Sequence, residues 1–106
     1  MTNKKKYILI KCIITDVDGV LTDGSIYTGV NGILFKKFNV KDGAAVRILK
    51  DLGIFTVILS SESDPTNSKI LESRSKKIGV DDCFYAIEDK KFFLNNFLNE
   101  INLKTE

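Results

Sequence analysis

Histidine is absent from the 106-residue sequence, and cysteine and long apolar runs are scarce. The absence of histidine excludes Ser-His-Asp and Cys-His catalysis and any histidine-ligated metal site. The two cysteines, Cys12 and Cys83, have no CxxC spacing. Cys12 lies within an apolar run and is predicted to be a small buried hydrophobic residue. Any chemistry must therefore depend on carboxylates, hydroxyls, lysines and hard metal ions.

The net charge is also small, at +2 from 16 basic and 14 acidic residues. Such a balance does not indicate nucleic acid as a partner. No apolar run approaches the roughly 18 residues that span a bilayer, and Lys11 interrupts the stretch 7–14, so neither a membrane span nor a signal peptide is predicted. We expect a cytoplasmic protein with reduced thiols. Residues 1–106 suit one domain with a thin core, which association with other copies would help to stabilise.

Strand-like and helix-like segments alternate along the chain. The runs 7–15 and 54–59 are β-branched and almost continuously apolar, as is typical of strands covered on both faces. Two β-rich runs, 25–28 and 33–40, flank a Gly/Asn turn and predict a hairpin. A third short strand is predicted within 80–86.

Helical patterns occupy the segments between these strands. The first covers 44–52, with Asp42 as the expected N-cap and Gly53 as the stop. The second begins at residue 65 or 66 and ends at 78, and the third runs from 89 or 90 to about 103. Together these elements predict an α/β fold: a Rossmann-like parallel sheet with helices on both faces and an inserted β-hairpin.

The acidic string 16–24, Asp-Val-Asp-Gly-Val-Leu-Thr-Asp-Gly, follows the first strand directly. In open α/β sheets ligands bind beyond the carboxyl ends of the strands. Asp16 and Asp18, separated by one residue, can both face one site there. One carboxylate can attack phosphorus while the other transfers a proton, and both offer the hard oxygen ligands that suit Mg²⁺.

This strand and acidic string resemble the first motif of the haloacid dehalogenase phosphatases. The hairpin ending in Phe-Asn-Val-Lys-Asp-Gly at 38–43 extends the resemblance to the 3-deoxy-D-manno-octulosonate 8-phosphate phosphatase family. That family includes phosphatases of nine-carbon sugar acids and the phosphatase-like domain of some acylneuraminate cytidylyltransferases. The resemblance covers nearly the whole chain. It implies Mg²⁺-dependent hydrolysis of a sugar-acid phosphate through an aspartyl-phosphate, without a separate cap domain.

The resemblance also implies residue roles. Asp16 would be the nucleophile and a metal ligand, and Asp18 the acid/base and a second ligand through its carbonyl. Ser60 would hydrogen-bond the phosphoryl group, against the simpler interpretation of a helix-capping serine. Lys90 would steady the phosphoryl charge, although Lys91 beside it leaves the choice open. A homotetramer assembled through the hairpin at 25–40 is also implied.

Two departures from the family pattern bear on these roles. Octulosonate phosphatases typically have Thr-Gly-Arg where this chain has Ser-Ser-Glu at 60–62. The Glu form resembles the nine-carbon branch and the cytidylyltransferase-linked domains, in which Glu62 would set substrate specificity with a lysine, here Lys77. A plain surface role for Lys77 is the alternative.

The second departure is that the Gly-Asp-Asp type fourth motif has no counterpart before Glu106. The chain is then expected to be C-terminally short, either as a fragment or as a naturally shortened, weakly active or inactive member. A non-catalytic oligomerising module is the rival function, and a receiver-type signalling domain ranks last, because its phosphate-accepting Asp follows a later strand.

Overall fold

The computed structural model describes residues 10–101, and the side chains of 32–35 are not described within that range. The strands are β1 (Cys12–Thr15), β2 (Tyr27–Gly29), β3 (Gly32–Phe35), β4 (Phe55–Leu59) and β5 (Asp82–Phe84). The helices are α1 (Val40–Asp51), α2 (Pro65–Ile78) and α3 (Lys90–Glu100). No helix within residues 10–101 has the length and hydrophobicity that crossing a bilayer requires.

Three strands form a parallel sheet in the order β1-β4-β5. The register pairs Thr15 with Ile58 and Leu59 with Phe84. The carboxyl ends of all three strands therefore lie at one edge of the sheet. Strands β2 and β3 pair antiparallel in a separate two-stranded sheet, inserted between β1 and α1.

Helices pack against both faces of the parallel sheet, in agreement with the predicted α/β architecture. Ile58 forms a buried core with Val17 and with Leu71 of α2. On the opposite face Phe84 of β5 contacts Phe93 and Phe97 of α3, with ring centroids 4.8 and 5.5 Å away. Phe84 is paired with Leu59, the residue after Ile58, and successive side chains of a strand point to opposite faces. Ile58 and Phe84 therefore face opposite sides of the sheet, and so do α2 and α3.

Helix α2 begins and ends where its local signals predict. The Asp64 side chain accepts hydrogen bonds from the amides of Thr66 and Asn67, Pro65 occupies the first turn, and Gly79 ends the helix at φ 82°. Proline suits the first turn because its missing N–H has no helical partner there, and glycine adopts the left-handed conformation without a Cβ clash.

The predicted start of α1 was wrong. Its N-cap is Asn39, whose side chain accepts from the Lys41 amide, and Asp42 lies in the first turn instead. A carboxylate in the first turn still favours the helix through the helix dipole. The predicted hairpin strand 33–40 is correspondingly shorter and ends at Phe35. The predicted strand 7–15 is also shorter, since β1 begins at Cys12, and its residues 7–9 fall outside the described residues. The last helix was predicted to run to about 103 and instead ends at Glu100, where Ile101 is the C-cap.

Candidate active site

The loop that follows β1 is held in shape by a buried valine. Val17 is 1% exposed, and its carbonyl accepts hydrogen bonds from the amides of Val20, Leu21 and Thr22 at 3.2, 2.8 and 3.1 Å. Because Val17 is anchored in the core, its two neighbours, Asp16 and Asp18, are left on the surface at the edge of the sheet.

Thr22 and Gly19 complete this turn. The Thr22 hydroxyl oxygen, which is buried, accepts from the amides of Gly19 and Gly24, both at 3.2 Å. Gly19 has φ 79°, a left-handed conformation that a Cβ disfavours. An antiparallel bridge between Thr22 and Phe38 fastens the loop to the segment after the hairpin. The acidic string is therefore an ordered turn.

Each of the two aspartates forms an ion pair with a different lysine. The Lys90 ammonium lies 3.4 Å from Oδ1 of Asp16, and the amide of Val17 donates to the same oxygen at 2.7 Å. The Lys36 ammonium lies 2.8 Å from Oδ1 of Asp18. Two carboxylates and two ammonium groups thus meet beyond the end of β1. Such an arrangement can hold the negative charge of a phosphoryl group beside the Asp16 carboxylate.

Ser60 lies at the same edge, directly after β4. Its side chain is buried, and its hydroxyl oxygen accepts from the Glu62 amide at 3.1 Å, which leaves the hydroxyl hydrogen available to donate. The amide of Ile87 donates to the Ser60 carbonyl, and the amide of Ala86 donates to the Glu62 carbonyl. These two hydrogen bonds join the loop after β4 to the loop after β5. The segment that contains Ser60 is therefore bonded directly to the segment that leads to Lys90.

Glu62 and Lys77 are not brought together within one chain. Glu62 precedes the first turn of α2, where its carboxylate accepts from the Asp64 amide, whereas Lys77 lies in the last turn. The first and last turns of such a helix are roughly 18 Å apart at 1.5 Å per residue. Lys77 instead lines a groove between α1 and α2 that also contains Arg47 and Arg74.

Hard oxygen ligands for a metal are few in the described part of the chain. No group of three or more Asp, Glu, Cys or His side chains with a geometry that could hold a metal occurs within residues 10–101. Asp23 lies apart from the pair, and its carboxylate accepts from the Ser25 amide, a hydrogen bond that lowers the pKa of Asp23. The Asp16 carboxylate and the Asp18 carbonyl fit a hard cation in kind, but they are too few to bind it tightly.

The cysteines stand outside this site. Burial raises the pKa of Cys12 and of Cys83, and both are free thiols. Protonated thiols of this kind are poor nucleophiles and poor metal ligands near neutral pH.

Sequence reasoning missed Lys36. No spacing rule connects it with Asp18, which is 18 residues earlier in the chain. In the sequence Lys36 is a charged residue near the end of a β-rich run, and such residues are more often exposed to solvent.

Comparison with known proteins places the chain in a family. No protein-family model matches it. The 3-deoxy-D-manno-octulosonate 8-phosphate phosphatase of Haemophilus influenzae is 38% identical over 91 residues, which cover 86% of this chain and 43% of the relative. A probable YrbI family phosphatase from Pseudomonas syringae has a similar structure, with a TM-score of 0.84 and 36% identity over 93% of this chain and 54% of that one.

This chain belongs to the 3-deoxy-D-manno-octulosonate 8-phosphate phosphatase family of the haloacid dehalogenase superfamily. The family resemblance expected from the acidic string and hairpin is confirmed. Another family structure, from Moraxella catarrhalis, is a complex with a magnesium ion, a phosphate ion and a KDO molecule. It matches with a TM-score of 0.80 and 28% identity, covering 98% of this chain and 59% of that one. The chain spans about half the length of the relatives it matches.

Proposed function

We propose that this chain carries the nucleophile half of a Mg²⁺-dependent phosphatase site that acts on a sugar-acid phosphate. The observation that supports it is the pairing of Asp16 with Lys90 and of Asp18 with Lys36 at the carboxyl edge of the sheet. The relatives of similar structure, one of them a complex with magnesium and phosphate, support the same chemistry.

The proposed reaction has two steps. An oxygen of Asp16 forms a bond to phosphorus, the ester P–O bond breaks, and the proton of Asp18 passes to the leaving oxygen, which departs as the alcohol. A water oxygen then attacks phosphorus, its proton passes to Asp18, and the bond to Asp16 breaks. Asp16 is again a carboxylate, Asp18 again carries a proton, and phosphate leaves.

The remaining groups bind and orient the phosphoryl group. The Ser60 hydroxyl would donate to a phosphoryl oxygen, and the Lys90 ammonium would balance its charge. When bound, Mg²⁺ would neutralise charge on the phosphoryl oxygens, and the Asp16 carboxylate and the Asp18 carbonyl would hold it.

The substrate within this class is open to direct assay. The relatives favour 3-deoxy-octulosonate 8-phosphate. The Ser-Ser-Glu sequence at 60–62 favours a nine-carbon 9-phosphate, because Glu62 cannot make the bidentate carboxylate contact of an arginine. Hydrolysis of the two esters, measured side by side, decides between them.

The test of the function uses Asp16→Asn, with Asp51→Asn as the matched control. Asp51 is exposed at the end of α1, away from the site. At high protein concentration with Mg²⁺ and the sugar-acid phosphate as phosphoryl donor, we expect acid-quenched parent protein to show the mass of one added phosphoryl group on the peptide that contains Asp16. Asp16→Asn should lose this adduct and any phosphate release by more than about 10³-fold, since no carboxylate remains to attack. Hydrolysis at the parental rate by Asp16→Asn would refute the assignment.

A non-catalytic oligomerising module remains the second candidate, and exposed apolar residues favour it. Val20, Ile26 and Val30 are 60%, 61% and 104% exposed, close to or within the hairpin. Exposed apolar residues near one hairpin agree with a surface that another chain covers. If the parent protein forms no phosphoryl adduct but assembles through the hairpin, this second function is the better account.

A further inference from the structure

The buried ammonium of Lys36 is the feature of the site that stability alone does not explain. The Lys36 side chain is 2% exposed, whereas its partner Asp18 is 56% exposed. Removing an ammonium from water is costly, and a half-exposed carboxylate compensates for it poorly. An apolar side chain at position 36 would fill the same space at less cost, so the charge calls for a functional reason.

We propose that Lys36 is a positioning residue for the acid/base carboxylate of Asp18. It engages Oδ1 at 2.8 Å and thereby directs Oδ2 towards the leaving oxygen and the attacking water. This inference rests on the proposed function, because it assigns a role within the same site.

The two aspartates differ in what orients them. The carboxylate of Asp16 accepts at 2.7 Å from the amide of its own neighbour Val17, so the backbone holds it even without Lys90. Asp18 is followed by Gly19 in an exposed turn, and Lys36 reaches it from the segment after the hairpin. The bridge between Thr22 and Phe38 fixes the two backbones in register, so the ammonium meets Oδ1 at a fixed place. Loss of Lys36 should therefore affect Asp18 and spare Asp16.

The chemistry makes this selectivity measurable. In the first step the proton of Asp18 goes to the leaving oxygen as the ester P–O bond breaks. An alkoxide needs that proton to leave, whereas a nitrophenolate leaves without it. The ratio kcat/KM reports only the steps up to release of the alcohol or phenol. A misplaced Asp18 should thus lower kcat/KM for an alkyl phosphate much more than for an aryl phosphate.

The experiment compares Lys36→Met with the parent on the sugar-acid phosphate and on p-nitrophenyl phosphate. Because Asp18 can turn to water once the lysine is gone, Lys36→Met is expected to fold. We expect kcat/KM for the alkyl ester to fall by about 10²-fold, which is the scale of the loss from a misplaced reacting group. For the aryl ester we expect kcat/KM to fall by less than about threefold. The control Lys76→Met removes an exposed ion pair to Glu72 on α2 and should change neither. Equal losses on both esters would mean a merely structural role and would overturn the proposal.

A second measurement does not depend on activity. The Tm is measured for Asp18→Asn, for Lys36→Met and for the double variant. Asp18→Asn leaves a buried ammonium without its charge partner, and the double variant removes that ammonium. We expect the Tm of the double variant to lie above the value obtained by adding the two single changes, and strictly additive changes would overturn the contact. If the parent cleaves neither ester and forms no phosphoryl adduct on Asp16, the proposed function fails, while the Tm comparison still decides whether Lys36 holds Asp18.

Discussion

Replacing Ala86 with glycine should stabilise this protein. Ala86 is the one non-glycine residue within the described range that has a positive φ, 59°, and it is exposed in the loop between β5 and α3. In the left-handed conformation a Cβ costs about 1–2 kcal/mol, and glycine removes that cost. Glycine also gives the unfolded chain more freedom, which offsets about 0.4–1 kcal/mol. The expected net gain is about 0.5–1 kcal/mol in the free energy of unfolding, from the difference of these terms.

The assay is thermal or urea unfolding of Ala86→Gly beside the parent. For a domain of this size the gain corresponds to a Tm rise of about 2–6 °C. The two loop hydrogen bonds, from Ala86 to the Glu62 carbonyl and from Ile87 to the Ser60 carbonyl, involve backbone atoms and should persist. The matched control is Ala45→Gly, an exposed helical position in α1, which should lose about 1 kcal/mol.

The opposite signs of the two alanine substitutions make the test sharp. If Ala86→Gly lowers the Tm as Ala45→Gly does, the loop does not hold residue 86 in the left-handed conformation. The account of backbone strain in the loop that precedes Lys90 would then be wrong.

Three further predictions concern the site and the assembly. Lys90→Met should lower the rate of phosphate release by about 10²-fold, because Lys90 contacts Asp16. Lys91→Met should leave the rate unchanged, because Lys91 is exposed beside it. Similar losses in both variants would contradict the assignment. The chain should self-associate, as a tetramer through the hairpin at 25–40, and a monomer in light scattering at tens of micromolar would refute this. The 106-residue chain should show low or no turnover of sugar-acid phosphates, because two oxygen ligands hold Mg²⁺ weakly. Appending a fourth strand and a Gly-Asp-Asp loop from a relative should raise the turnover. Rapid Mg²⁺-dependent phosphate release without that addition would disprove the reasoning.

Local sequence signals were sufficient where they agreed with one another. Asp64, Pro65 and Gly79 each mark a boundary of α2, and the helix lies where they predict. The two apolar runs predicted the parallel strands β1 and β4, since β-branched apolar runs favour strands. Burial on both faces holds for residues 56–59 of β4 but not for β1, where Ile13 is 36% exposed. The acidic string after β1 then had to lie at the carboxyl edge of the sheet.

Local signals failed at the start of α1. Asp42 was predicted as the N-cap and the run 33–40 as a strand, since Val40 favours a strand by propensity and aspartate is a good N-cap. The structure uses Asn39, and the carbonyl of this residue also accepts a hydrogen bond from Arg74 of α2. That contact crosses 35 residues and leaves no trace in the local pattern.

The sequence by itself determined the fold class, the family and the place of Asp16 and Asp18, because each depends on neighbours along the chain. Only the tertiary structure decided which lysine contacts each carboxylate. Lys90, and not Lys91, reaches Asp16 because the Asp89 cap fixes the start of α3 and hence which side chain turns to the site. Lys36 reaches Asp18 because the hairpin folds back over the acidic loop. Pairings of this kind depend on how distant segments pack, and residue type and spacing do not encode that packing.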